Sequence, residues 1–153
     1  MISINVFSEE KAWSKRLKNK DLFFKEVCKA FPKKYNFSNK KVSFTLLLSN
    51  NKNIKKLNKV FRNKNKSTDI LSFPLEKKIK ISKNTYLGDI IISYNYLDKP
   101  RTQDLKIFNE KVIKTFIHGF LHLLGFDHIK NKDYFKMLKE ENLLFQSVKS
   151  KIY

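Results

Sequence analysis

Four short segments are rich in β-forming residues and predict β-strands. The first, Ile2 to Phe7, alternates apolar and polar side chains, and the second covers Val42 to Ser49. The third runs from Asp69 to Phe73, and Pro74 after it predicts a sheet edge or strand end because proline has no N–H to donate. The fourth strand is predicted from Tyr86 to Ser93.

Apolar residues spaced three and four apart predict helices between and after these strands. The first helix is predicted from about Ser8 to Ala30, and Pro32 stops it. A short helix is predicted around residues 54–61, a long one from about Gln103 to Leu124, and a last one from roughly Asp133 to Val148. Strands dominate the first two-thirds and helices the end. This pattern indicates an α+β fold, a single domain over residues 1–153 with about four strands in a mixed sheet packed with helices.

The composition bears on the compartment in which the chain works. Its single cysteine, Cys28, cannot form an intramolecular disulfide, which is typical of a reducing compartment. The amphipathic surroundings of Cys28 predict a structural thiol. The N-terminus lacks the pattern of a signal peptide, and no stretch approaches the roughly 20 apolar residues that span a bilayer. We therefore expect a soluble cytoplasmic protein without a membrane partner.

The formal net charge of +19 favours polyanionic partners, nucleic acid before anionic membranes. Only three of the 33 basic residues are arginines, namely Arg16, Arg62 and Arg101. The abundance of lysine and asparagine is also what compositional bias would produce. Charge alone does not distinguish RNA from DNA or from a ribosome surface.

The three histidines of the chain, His118, His122 and His128, fall within eleven residues. Positions i and i+4 of a helix share one face, so His118 and His122 project together. Gly125 follows, where a left-handed residue can end the helix and bring His128 back to the pair. Three imidazoles around an open fourth position are typical of catalytic zinc. We predict a metal site on the C-terminal half of this helix and the following turn.

The spacing His-x-x-x-His-x-x-Gly-x-x-His also occurs in metzincin proteases, which carry a glutamate directly after the first histidine as general base. Gly119 occupies that position here. Because glycine cannot accept a proton, Gly119 argues against peptide hydrolysis by that mechanism, and another group or the substrate must handle the proton.

Three imidazoles also suit nickel, copper or iron, so the spacing leaves the identity of the metal open.

The run from His118 to His128 closely resembles the signature of the YbeY family of bacterial rRNA-maturation metallo-endoribonucleases, His-Gly-x-Leu-His-Leu-x-Gly-Tyr-Asp-His. Phe126 replaces the usual tyrosine, which removes a hydroxyl but no ligand. The resemblance continues collinearly from about residue 45 to 141. The other matching blocks are residues 57–62, residues 67–74, residues 87–93 and, more weakly, Met137 with Glu140 and Glu141.

This resemblance implies one zinc-type ion held by His118, His122 and His128, and an arginine important for activity at Arg62. We expect Arg62 and His118 to be the catalytic residues. The resemblance further implies cleavage of single-stranded RNA, a role in maturing the 3′ end of small-subunit rRNA, and a role in ribosome quality control. The expected partners are therefore rRNA and the small ribosomal subunit, and we expect a monomer or weak oligomer.

The residue types around the histidines suit this chemistry. A guanidinium binds phosphate bidentately, whereas lysine acts as a point charge, so Arg62 is suited to hold a scissile phosphate. Asp127 is placed to support His128, Asp69 is expected in a turn or cap, and Asp89 is a weaker polar candidate. We do not expect any of these aspartates to be the general base. Nearby lysines that would attract the RNA backbone are Lys59, Lys64 and Lys66.

Two other functions are compatible with a metal site in a basic chain. One is a different metallohydrolase, such as a peptidase, against which Gly119 argues. The other is a ribosome assembly factor whose metal is structural. In that case chelation lowers the melting temperature, while a variant with an impaired metal site still rescues a deletion strain.

Overall fold

A computed structural model describes residues 1–101 and 103–152 of the chain. The strands are β1 (Ile2–Ser8), β2 (Lys41–Ser49), β3 (Ile70–Pro74) and β4 (Asn84–Ser93). The helices are α1 (Trp13–Arg16), α2 (Lys20–Lys29), α3 (Asn51–Arg62), α4 (Tyr94–Leu97), α5 (Leu105–Leu123) and α6 (Asn131–Ile152), with a 3-10 turn at Lys33–Tyr35. Within the described ranges, no helix is both long and apolar enough to cross a bilayer.

The four strands form one mixed sheet in the order β1-β2-β4-β3. The pairs β1–β2 and β2–β4 are parallel, whereas β3 runs antiparallel to β4. Strand β3 therefore lies at an edge, as Pro74 predicts, and its proline removes no hydrogen bond needed by a further strand. The predicted α+β fold with a four-stranded mixed sheet is confirmed.

The predicted helix from Ser8 to Ala30 is wrong, because the structure has two helices there. Asn19 has an extended backbone, and its side chain accepts a hydrogen bond from the Leu22 N–H at 3.0 Å, so it caps α2 and begins a new helix. In α1, the buried Trp13 ring donates from Nε1 to the Ser49 carbonyl at 2.9 Å. A local cap and one long-range anchor therefore override the apolar periodicity.

Helix α5 packs one face of the sheet in the main core. The apolar residues spaced three and four apart, which predict this helix, form a stripe that faces the sheet: Phe116 and Phe120 are fully buried, and both rings lie within 6 Å of Phe44 on β2. Burial raises the pKa of Cys28, which lies in the same core and suits the predicted structural role. The polar edge of α5, which carries His118 and His122, is consequently fixed relative to the sheet.

Helix α3 covers only part of the opposite sheet face. A small cluster of Ile54, Leu71 and Ile91 forms the contact there. Val60 and Phe61, two of the residues whose spacing predicts this helix, point to solvent instead and are 74% and 65% exposed. The last turn of α3 thus presents apolar side chains outward.

Gly119 lets α5 approach the sheet edge closely. A Cβ atom at this position would lie 2.5 Å from Ile70 Cδ1 and 3.2 Å from Ile90 Cγ2. At the same crossing, the buried Ser72 hydroxyl on β3 donates to the Gly119 carbonyl at 2.9 Å. A side chain at residue 119 would therefore be directed at strands β3 and β4.

We expect Gly119→Ala to destabilise the fold, although alanine normally stabilises a helix interior by about 0.5–1 kcal/mol relative to glycine. Overpacking against Ile70 and Ile90 should outweigh that gain, since it costs about 1–3 kcal/mol. Ile70→Val removes the atom nearest the new methyl group. The free energy of unfolding of the double variant should therefore be higher than the sum of the two single effects predicts. Urea unfolding of all four proteins measures this, and strict additivity would contradict the clash.

Candidate metal centre

The structure brings the three histidines together. One ring nitrogen from each of His118, His122 and His128 lies within 4.8 Å of the others. The first two residues are one turn apart on α5, and their Nε2 atoms are 3.1 Å apart. The ring centroid of His128 lies 5.5 Å from that of His118 and 5.1 Å from that of His122. This grouping can hold a metal ion.

The turn after α5 positions His128. Gly125 has a φ of 97°, and its N–H donates to the His122 carbonyl at 3.0 Å, while the Phe126 N–H donates to the Leu121 carbonyl at 3.0 Å. This pair of bonds is a Schellman motif, which requires a left-handed residue and so favours glycine. Asp127 Oδ1 accepts from the backbone N–H of His128 at 2.7 Å, so its carboxylate supports the turn rather than the imidazole.

Glu141 on α6 orients the first histidine. His118 Nδ1 donates to Glu141 Oε1 at 2.7 Å, and both side chains are about 30% exposed. A proton on Nδ1 leaves the Nε2 lone pair free to bind a metal. From the sequence alone, Glu141 has no predicted role, since its only signal is the weakest matching block. The contact with a residue 23 positions away depends on how α6 packs against α5.

The neighbouring Glu140 connects α6 to the 3-10 turn instead of to a histidine. Its carboxylate accepts hydrogen bonds from the Tyr35 hydroxyl and the Lys34 ammonium. Burial favours the protonated acid, but these two bonds outweigh it and hold the pKa of Glu140 below its usual value. Adjacent carboxylates thus have separate tasks, because Glu140 anchors α6 to the 3-10 turn and Glu141 reaches His118.

The electrostatics of the cluster suit a cation. Burial lowers the pKa of His122, and positive charge on His118 or His128 would lower it further. His122 therefore favours the neutral form, in which a ring nitrogen carries a lone pair. Glu141 fixes the proton of His118 on Nδ1. The Nε2 atoms of His118 and His122 then face one another at 3.1 Å, an arrangement that a shared cation stabilises. The residues present fit a divalent metal bound by nitrogen ligands.

We expect Glu141→Gln to weaken metal binding about 10- to 100-fold while leaving the fold intact. A neutral amide still accepts the His118 hydrogen bond but no longer polarises the imidazole, which lowers the basicity of Nε2. Competition with a chromogenic chelator measures the affinity. Lys139→Ala, an exposed change on the same helix, is the control, and equal affinities for all three proteins would contradict the role of Glu141.

Arg62 lies at the end of α3, beside the edge strand. Its Nη2 donates to the Ser72 carbonyl at 3.2 Å, and its guanidinium carbon lies 5.9 Å from the centre of the Phe73 ring. The Ser72 hydroxyl in turn donates to the carbonyl of Gly119, the residue directly after His118. Among the described contacts, none joins Arg62 directly to a histidine, so Ser72 links the two. Ser72 lies in the matching block of residues 67–74, but nothing in the sequence predicts this link.

The remaining sequence candidates lie outside the histidine cluster. Asp69 Oδ1 accepts from the Ile70 N–H at 2.8 Å, which is the expected turn role. Asp89 is exposed and accepts from the Tyr86 hydroxyl at 2.5 Å. The three lysines near Arg62 are all exposed: Lys59, Lys64 and Lys66.

The family model for Endoribonuclease YbeY matches residues 5–149. Endoribonuclease YbeY of Pelagibacter ubique is 59% identical over 152 residues, which span 99% of each chain. That of Persephonella marina is 34% identical over 129 residues, 84% of this chain and 83% of the relative.

A solved structure has a similar fold. The solution structure of TM1509 from Thermotoga maritima matches with a TM-score of 0.58 and 25% identity, and the match covers 97% of this chain and 91% of that one. The sequence matches extend over nearly the whole chain and include the segments that carry the histidines, Arg62 and Glu141. The chain therefore belongs to the Endoribonuclease YbeY family.

Proposed function

We propose that this protein is a metal-dependent endoribonuclease that cleaves single-stranded RNA. It would act in the cytoplasm, as a monomer or weak oligomer. Its roles would be to mature the 3′ end of small-subunit rRNA and to take part in ribosome quality control. The observation that carries this proposal is the histidine cluster oriented by Glu141 in a chain of this family. The +19 charge suits a polyanionic substrate.

The ion would be held by His118, His122 and His128, and zinc is the metal that we propose. When bound, zinc supplies Lewis acidity, which polarises a phosphoryl oxygen and lowers the pKa of water. Three protein ligands with an exposed His128 favour a catalytic site over a structural one, because structural zinc sites are closed by four protein ligands.

Arg62 would hold the scissile phosphate. One of its N–H groups binds the Ser72 carbonyl, which leaves the remaining donors of an exposed guanidinium for the phosphate oxygens. Such a cation stabilises the negative charge that develops on these oxygens during cleavage. Ser72 ties Arg62 to the strand that contacts α5 at Gly119, so the phosphate-binding group and the metal ligands belong to one rigid unit.

Peptide hydrolysis by the metzincin mechanism is disfavoured by the geometry as well as by the residue type. A Cβ atom at position 119 would lie 2.5 Å from Ile70 Cδ1 and 3.2 Å from Ile90 Cγ2, so the fold leaves little room there for a glutamate side chain. If such a side chain packed against these apolar strands, the charged form of its carboxylate would be costly.

The test compares cleavage of single-stranded and duplex RNA by wild type and His118→Ala, with metal content measured on both. We expect wild type to carry about one ion per chain and to cleave the single strand, and the variant to lose both properties. Wild-type activity that survives complete metal removal would reject the proposal. Rescue of a deletion strain by His118→Ala would instead support a ribosome assembly factor with a structural metal.

A further inference from the structure

We propose that Phe61 and Phe73 form a stacking site for an unpaired base of RNA, beside the phosphate-binding Arg62. This inference rests on the proposed function, because it assigns to the same substrate a second point of attachment. The site lies where the last turn of α3 meets the edge strand β3, and it binds a flat aromatic ring rather than a phosphate.

The first observation is an aromatic pair that the fold leaves uncovered. The Phe61 ring is 65% exposed, and its centre lies 5.3 Å from that of Phe73 at an interplanar angle of 60°. Phe73 packs against the small cluster under α3, which holds its ring in place. The pair therefore has a fixed inner ring and an accessible outer ring, as a base-stacking platform requires.

The second observation is the cation that shares this platform. The Arg62 guanidinium lies over the Phe73 ring and is held by the Ser72 carbonyl. A base stacked on Phe61 would have its own phosphate within reach of the neighbouring Arg62 side chain. Aromatic side chains that stack bases beside cations that bind phosphates are the usual combination in proteins that bind single-stranded nucleic acids.

The third observation is local charge complementarity to RNA. Residues 51–66 contain no aspartate or glutamate and seven basic residues: Lys52, Lys55, Lys56, Lys59, Arg62, Lys64 and Lys66. Asn58 is buried, and its side-chain amide donates to the Lys66 carbonyl at 2.9 Å, which fixes the loop that follows α3. Positive charge and exposed aromatic rings thus occupy one ordered surface, which favours a polyanion with flat bases.

The experiment measures binding of a fluorescently labelled single-stranded oligoadenylate and of an abasic oligonucleotide with the same ribose phosphates. Wild type should bind the oligoadenylate about tenfold or more tightly than the abasic chain, since one stacked base contributes of that order. Phe61→Ala should lose this preference and keep the same dependence on salt, because no phosphate contact is removed. Tyr96→Ala is the matched control, as Tyr96 is also an exposed aromatic ring packed by a cation, Lys99.

A second variant reports stacking directly. Phe61→Trp should retain binding, and its indole fluorescence should be quenched when oligoadenylate is added. The native Trp13 is 1% exposed, so it contributes a constant background. Thermal unfolding of each variant checks that it is folded.

The outcomes separate this inference from the proposed function. Equal affinities of wild type and Phe61→Ala for the oligoadenylate, with cleavage intact, would overturn the stacking site alone. A wild-type preference for the abasic chain, or no preference, would do the same. A wild-type protein that neither binds nor cleaves single-stranded RNA would overturn both.

Discussion

His122→Ala is expected to abolish stoichiometric metal binding and to reduce RNA cleavage by roughly a thousandfold or more. In the proposed site this imidazole would supply one of three nitrogen ligands, and its Nε2 lies 3.1 Å from that of His118. With two ligands left, the ion should dissociate on purification. A metal ion contributes several kcal/mol to stabilising the charge of such a reaction, where each 1.36 kcal/mol corresponds to a factor of ten.

The fold should survive this change, because α5 is held by its other face. Phe116 and Phe120 carry the packing against the sheet and are untouched. We therefore expect metal-free wild type and His122→Ala to unfold at similar temperatures, with an increase on adding zinc seen only for wild type. Elemental analysis, thermal unfolding and cleavage are the measurements.

Thr115→Ala is the control for His122→Ala, since it changes a half-buried polar residue on α5 one turn before His118. It should retain both metal and activity. A His122→Ala protein that still bound one equivalent of metal and cleaved RNA at the wild-type rate would remove His122 from the site. Loss of both properties in Thr115→Ala as well would point to distortion of α5 instead of loss of a ligand.

The grouping of the three histidines follows from local geometry that the sequence reveals. The i, i+4 spacing places two side chains on one face of the helix. Gly125 adopts the left-handed backbone conformation that ends the helix, which glycine favours. No long-range packing is needed to bring these residues together. The same reasoning explains why the strands and the apolar stripe of α5 could be predicted from periodicity.

Contacts between distant segments could not be predicted in this way. Glu141 reaches His118 only because α6 packs beside α5, and Ser72 meets both Arg62 and Gly119 only because β3 forms the sheet edge. The break between α1 and α2 was missed because the cap at Asn19 competes with a pattern of apolar residues that continues through it. Residues that orient the site are thus harder to predict than the residues proposed to bind the ion.

Arg62→Ala is expected to reduce the rate of RNA cleavage roughly a hundredfold, which is typical for loss of one group that stabilises transition-state charge. Metal content should be unchanged, since the contact of Arg62 with the histidine helix passes through Ser72. Stability should change little, because the side chain is exposed and water can replace it at the Ser72 carbonyl. The maximal cleavage rate on single-stranded RNA, metal analysis and thermal unfolding test these points.

Arg62→Lys distinguishes a bidentate phosphate contact from simple attraction. Lysine retains the charge but not the planar pair of donors, so activity should recover only in part. Arg101→Ala, which removes another exposed arginine, is the matched control and should keep full activity. Full activity in Arg62→Ala would remove this residue from the mechanism. Full activity in Arg62→Lys alone would mean that Arg62 acts by its charge, because the ammonium then replaces every contact that matters for cleavage.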